Sequence, residues 1–281
     1  MSETLLELQD VSFSYEDSPP ALRGVSLAVS RGERVAVLGS NGAGKSTFFL
    51  LCNGVNAPDA GRLLYRGRPV SHSKQDLMRL REQVGIVFQD PNQQLIGSTV
   101  EAEVSFGPMN LRLPKEDVSR RVEEALRAMD ITEHRKRPPH YLSGGEKKRV
   151  GIAGVLAMHP DMILFDEPTA SLDPSGVDML EGVLAQLAET GKTLLVSTHD
   201  IDFAWRWARR VLVFAHGELL ADSTPEAVFG DDALLEKAGL RRPILYDVMR
   251  VLERRGCAGL TGSLPRTAGE LEQIIRPIST N

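Results

Sequence analysis

Short runs of Val, Ile and Leu alternate along this chain with segments whose apolar residues recur every three or four positions. The runs at Arg34–Leu38, Val84–Phe88, Met162–Phe165, Thr193–Ser197 and Arg210–Phe214 predict strands. The first, third and fourth are almost unbroken in apolar character, as parallel strands covered on both faces should be. Residues Leu5 to Tyr15 differ: Leu6, Leu8, Val11, Phe13 and Tyr15 are spaced mostly by two, which predicts a half-exposed antiparallel strand. Between Pro108 and Pro138, Val118, Val122, Ala125, Leu126 and Met129 recur at helical spacing with charges between them. That pattern predicts an amphipathic helix within a helical insert. The alternation as a whole predicts an α/β core built on a parallel sheet.

Beyond Thr224 the core pattern stops. Thr224-Pro225 has the form of an N-cap followed by proline at the first helical position, and Thr267 with Glu270 the form of a capping box. A small helical appendage is therefore predicted from about Gly230. With 281 residues, 42% hydrophobic and 25% charged, the composition is that of a globular protein and excludes a disordered or collagenous chain. A net charge of -5 argues against non-specific nucleic-acid binding. No apolar run approaches the roughly 18–20 residues that cross a bilayer. The start, MSETLLELQD, lacks the basic, apolar and small-residue regions of a secretory signal, so a cytosolic chain is expected. Cys52 and Cys257 show no CxxC spacing, and both are expected to be buried thiols.

Two segments carry chemistry. Gly39-Ser40-Asn41-Gly42-Ala43-Gly44-Lys45-Ser46 follows a predicted strand and precedes a predicted helix, as G-x-x-x-x-G-K-[ST] requires. Such a loop turns its amides towards phosphate oxygens, and the helix N-terminus favours their charge. Lys45, expected on an exposed loop, would reach the β and γ phosphates, Ser46 would bind Mg2+, and Thr47 would add contacts deeper in the loop. The apolar run Met162–Phe165 ends in Asp166 and Glu167. Asp166 would hold Mg2+ through its water shell, and Glu167 is placed to polarise a water attacking the γ-phosphate.

Leu142-Ser143-Gly144-Gly145-Glu146, ahead of an amphipathic helix from Lys147 to Met158, resembles the signature motif of ATP-binding-cassette (ABC) ATPases. Glu146 departs from the commoner glutamine. The resemblance extends to Tyr15 as the aromatic that stacks on adenine, Gln89 as the Q-loop glutamine that contacts Mg2+ and senses the γ-phosphate, Ser171-Leu172-Asp173 as the D-loop, and His199 as the switch histidine. It covers residues 5 to 222 and implies an ABC-type P-loop NTPase, with an antiparallel β subdomain, a parallel-sheet core, a helical insert at about 108–158 and a small C-terminal helical appendage. Residues 1–229 would form the nucleotide-binding domain and 230–281 the extension. It further implies ATP and Mg2+ as ligands. Lys45, Glu167 and His199 would serve catalysis, while Ser143, Gly144 and Gly145 would close on the γ-phosphate held by a second ATPase subunit, identical or related.

The stretch from Gln89 to Pro108 is similar to the extended Q-loop segment of energy-coupling-factor importer ATPases, where a short helix forms a groove for a transmembrane scaffold subunit. Val100, Val104 and Phe106 would supply its apolar wall. Within that group, Arg149–Met158 and Ser197–Trp207 are similar to cobalt and nickel importer ATPases. A substrate-binding membrane subunit, a place at the cytoplasmic face of the membrane and no nucleic acid are then implied. A soluble non-transport ABC ATPase, or an ATPase for another cargo such as a vitamin, stays open. The basic residues from Arg135 to Arg149, with His134 and His140, are expected to be solvated.

Overall fold

The computed structural model describes residues 3–170, 172–255 and 264–274. Its strands are β1 (Thr4–Ser14), β2 (Pro20–Ser30), β3 (Arg34–Leu38), β4 (Ala60–Tyr65), β5 (Arg68–Pro69), β6 (Val84–Val87), β7 (Met162–Asp166), β8 (Thr193–Ser197), β9 (Arg210–Ala215) and β10 (Glu218–Ser223). One sheet runs β10-β9-β3-β8-β7-β6 and is parallel except for the β9–β10 hairpin. A second sheet, β2-β1-β4-β5, is antiparallel throughout.

Alternation along the parallel strands explains their unbroken apolar character. Val35, Val37, Leu164, Leu195, Leu212 and Phe214 face the antiparallel sheet, and share a core with Leu6, Leu8 and Val11 and with Phe48 and Phe49 of helix α1 (Lys45–Cys52). Ala36, Leu38, Ile163, Phe165, Leu194, Val196, Val211 and Val213 take the opposite face, under most of the remaining helices. In β1, pairing with β2 shifts register between Leu8 and Val11, where Asp10 adopts a φ of 51°. This irregularity resets the period of two. β2 was not predicted, because Gly24, at φ 56°, breaks the alternation of Leu22, Val25, Leu27 and Val29.

After α2 (Lys74–Gln83) beside β6 come α3 (Val100–Asn110), α4 (Lys115–Ala128) and α5 (Gly144–Leu156), which pack on one another, then α6 (Pro174–Glu189) and α7 (Ile201–Trp207). The amphipathic pattern of α4 is realised: Val122, Ala125 and Leu126 turn inward, with Met129 just past its end. Two expectations fail here. Val100 and Val104 are fully buried in the core, so they line no docking groove, whereas Phe106 is 51% exposed. The basic stretch is not uniformly solvated either, because Lys148 is buried, Arg135 pairs with Glu101 and Glu123, and His134 Nε2 lies 2.8 Å from Glu146 Oε1.

The tail forms α8 (Pro225–Gly230), α9 (Asp232–Ala238), α10 (Ile244–Arg254) and α11 (Ala268–Ile274). Thr224 caps α8 as its sequence predicts, and Val228, Phe229, Leu235 and Ala238 join the core under the parallel sheet. Thr267 Oγ1 accepts from Glu270 N, but the Glu270 carboxylate accepts from Arg266 N, one residue before the capping position. Cys52 is buried and free, and burial pushes its thiol pKa well up. Cys257 lies outside the described residues.

Candidate active site

Where β3 ends, the chain curls through residues 39–44 into α1. Gly39 has φ 151°, and a Cβ there would stand 2.3 Å from Phe214 O. Gly44, at φ 106°, would press a Cβ to 2.7 Å from Ala21 O. Only glycine satisfies both conditions, and the curl leaves the unpaired amides of the first turn of α1 available to an anion. Gly39 to Thr47, with Tyr15, Ala21, Gln89, Glu167 and His199, line a cavity of about 780 Å3, a size suited to a nucleotide. Lys45 departs from expectation. It is buried, and Nζ donates to Gly39 O at 2.7 Å and Ser40 O at 3.3 Å.

The carboxylates arrive on β7, whose Asp166 pairs with Ser197 of β8. Ser197 Oγ donates to Asp166 Oδ1 at 2.5 Å and accepts from Glu167 N at 3.0 Å, so one hydroxyl fixes both acidic residues. Glu167 is held at φ 45°, a left-handed conformation costing about 1–2 kcal/mol in a residue other than glycine. Its Oε2 lies 2.9 Å from His199 Nδ1 and its Oε1 3.8 Å from Lys45 Nζ. The buried carboxylate thus sits between a cation and an imidazole whose own side chain is 75% exposed. Tyr15 stands at the mouth, its ring edge-on to Phe13 and its hydroxyl 3.2 Å from Thr47 Oγ1.

Ser143, Gly144 and Gly145 do not join this cavity. With Glu146, Leu172 and Asp173 they line a separate one of about 530 Å3. Ser171 is outside the described residues. Ser143 caps α5 in a full capping box: its Oγ accepts from Glu146 N, and Glu146 Oε2 accepts from Ser143 N at 2.7 Å. Hydrogen bonding from Ser143, with the nearby His134 adding to it, holds the Glu146 carboxyl below its ordinary pKa.

Gln89 itself is exposed at the cavity rim, but the segment after it is tied down by residues that motif reading passed over. The Glu103 carboxylate accepts from Ile96 N and Gly97 N, and Gln94 bridges Phe88 N and Gly151 O. A Cβ on Gly97 would meet Glu103 N at 2.5 Å, which explains that glycine. Ser197 is the missed residue nearest the chemistry. Its only sequence signal is a hydroxyl ending an otherwise apolar run.

Residues 22–170 match the ABC transporter family. The energy-coupling factor transporter ATP-binding protein EcfA of Methanothermobacter thermautotrophicus is 48% identical over 252 residues, 90% of this chain and 81% of that protein. The structure of cbiO1 from Clostridium perfringens, described as part of the ABC transporter complex cbiONQ, superposes with a TM-score of 0.74 at 39% identity, covering 89% of this chain and 99% of that one. The ATP-binding cassette MJ0796, in a dimeric post-hydrolysis state with ADP and Pi, gives 0.71 at 29% identity over 79% of this chain and 99% of its own. A phosphate loop, a strand-end carboxylate pair and a signature helix on this fold, together with these likenesses, place the chain in the ABC family of ATPases, among the energy-coupling-factor transporter ATP-binding proteins.

Proposed function

We propose that this chain hydrolyses ATP to energise a membrane importer, closing on a second ATPase subunit, identical or related, and passing that motion to a transmembrane scaffold subunit and its substrate-binding membrane partner. One observation carries the reading: Lys45, Glu167 and His199 share a cavity with the phosphate loop, while the signature residues that would complete it open onto another surface. A single copy therefore does not bring its own signature residues to its nucleotide cavity.

In this reading the loop amides and Lys45 take the phosphates, and Tyr15 offers adenine a ring anchored by Phe13 and Thr47. Lys45 now rests on two carbonyls, and its shift to phosphate frees Glu167 Oε1 to accept from water. His199 keeps the other carboxylate oxygen oriented. Ser46 and Gln89 line the cavity and offer hard oxygen donors that suit Mg2+, whereas Asp166 is buried behind the lining with Oδ1 accepting from Ser197, so it would act on the ion through the water shell. Bound there, Mg2+ would offset the phosphate charge. Rate enhancement then comes from positioning and charge stabilisation.

Phe106 and Met109, one turn apart on α3, and Ile96 before it are exposed apolar residues beside the Gln89 segment, and they support scaffold docking there. No helix among the described residues is long and apolar enough to cross a membrane, in keeping with a peripheral subunit at the cytoplasmic face. Cobalt or nickel as cargo rests on the resemblance of residues 149–158 and 197–207 alone. Uptake of radiolabelled cobalt and nickel by the reconstituted complex, with a vitamin as competitor, would test that choice.

The test of the mechanism is Glu167→Gln. Hydrolysis should slow at least about 10²-fold, within the range for loss of a general base. ATP binding should survive, and size-exclusion chromatography with ATP should show a dimer that ADP does not support. Adding Ser143→Arg should abolish the dimer. Wild-type turnover in Glu167→Gln would place the base elsewhere.

A further inference from the structure

Lys148 is the fifth residue of α5, one turn beyond the signature loop, and is 1% exposed. Lysines are almost never so buried without a paired charge. Among the described residues no carboxylate lies within ion-pair distance of it. Instead Nζ donates to Phe88 O at 2.9 Å, to Gln89 O at 2.7 Å and to Glu167 O at 3.5 Å. Burial lowers its pKa to about 8, while the charges of Asp166, Asp90 and Glu167 work to raise it.

The three carbonyls belong to the two segments that deliver Gln89 and Glu167 to the nucleotide cavity, and the ammonium belongs to the helix that begins with Ser143. Gln94 adds a second, neutral strap between Phe88 N and Gly151 O of the same helix. What the ammonium adds, beyond the β6–β7 pairing and the Gln94 strap, is two short hydrogen bonds to the Gln89 segment and a longer contact to Glu167 O, all made by one group on the signature helix.

We propose that Lys148 is a positioning residue for ATP hydrolysis: its buried ammonium locks the signature helix, the Gln89 loop and the Glu167 turn into one body, so that engagement of the signature loop with nucleotide on a second subunit sets the Glu167 carboxylate and Gln89. The proposal rests on the reading of Glu167 and the paired ATPase given above. It touches the reaction through backbone placement alone, where a displacement of about 1 Å can cost up to 10²-fold in rate.

The experiment compares kcat, KM for ATP, ATP affinity and melting temperature of the full chain with those of Lys148→Met and Lys148→Gln. Lys148→Met removes every donor, and kcat should fall at least about 10-fold while KM and ATP affinity stay within about 3-fold. Lys148→Gln restores an NH2 to the carbonyls and should recover part of that loss. A wild-type kcat in Lys148→Met overturns the proposal. So does a joint collapse of melting temperature, ATP affinity and kcat in both variants, which would mark an ordinary structural residue. Should Lys148→Met fail to fold, Lys148→Gln decides: reduced kcat with intact ATP affinity supports the proposal, and either an unchanged kcat or the loss of both overturns it. Glu167→Gln, run alongside, keeps the two readings apart. Wild-type turnover there removes the assigned base, whereas an inactive Glu167→Gln beside a fully active Lys148→Met removes only the lock.

Discussion

Burial separates residues that look equivalent in the sequence. Lys45 is held in a buried place by the carbonyls of Gly39 and Ser40 and is still near enough to Glu167 to serve the site. Lys45→Met keeps the apolar stem and removes the charge. The charged hydrogen bonds lost to phosphate are worth about 1.5–3 kcal/mol, so ATP affinity measured by calorimetry should fall roughly 10- to 100-fold, with the fold retained. Val104 and Phe106, two residues apart, show the opposite contrast. Aspartate at Val104 would bury an unpaired charge in the core, a cost comparable to the whole stability of a domain, and soluble folded protein should be lost. Aspartate at Phe106 meets solvent, so the melting temperature and basal ATPase rate should hold while scaffold co-purification falls. Equal loss of folded protein in both variants would show that Phe106 has no separate surface role.

At the scale of elements, the N-terminus of α5 combines a capping box with an acidic residue where glutamine is commoner. Glu146→Ala should cost about 0.5–1.5 kcal/mol at neutral pH, measured by denaturant unfolding, through the lost hydrogen bond from Ser143 N. Because the folded-state pKa of Glu146 is depressed, the carboxylate's contribution is present above its unfolded value near 4.5 and fades as pH falls through the folded value. The gap between wild type and Glu146→Gln should therefore narrow on acidification. These elements also mark what a sequence can disclose. Strands β3, β7 and β8 were legible because burial on both faces leaves no polar gap, and the phosphate loop because its glycines are forced by close approach to Phe214 O and Ala21 O. β2 was hidden by Gly24. The roles of Ser197, Lys148 and, through Gly151, Gln94 were hidden for another reason: each acts on backbone groups brought near by folding, while Glu103 reaches Ile96 N and Gly97 N, seven and six residues away, at a spacing that no regular element repeats.

At the scale of the whole molecule, the tail closes over one end of the parallel sheet. Trp205 Nε1 donates to Pro265 O at 3.0 Å, and the Arg266 guanidinium donates to the carbonyls of Trp205 and Ala208 at the end of α7 while pairing with Glu226. Cations suit helix C-termini, so Arg266→Ala should remove about 1.5–3 kcal/mol of stability, a fall in melting temperature of roughly 3–12 °C, with ATP affinity unchanged. Calorimetry with and without ATP would separate the two quantities. The opposite core, between the sheets, holds Cys52 at the end of α1, fully enclosed and with its thiol disfavoured as thiolate. A sulfhydryl in that position is a clock. In a Cys257→Ser background an alkylating reagent can reach it only when the core between the sheets parts, so the labelling rate counts openings of that layer. ADP at about 100 times its dissociation constant should slow that clock about 100-fold if parting the core also empties the phosphate loop. Equal rates with and without ADP would show instead that the layer beneath α1 opens while the loop keeps its ligand.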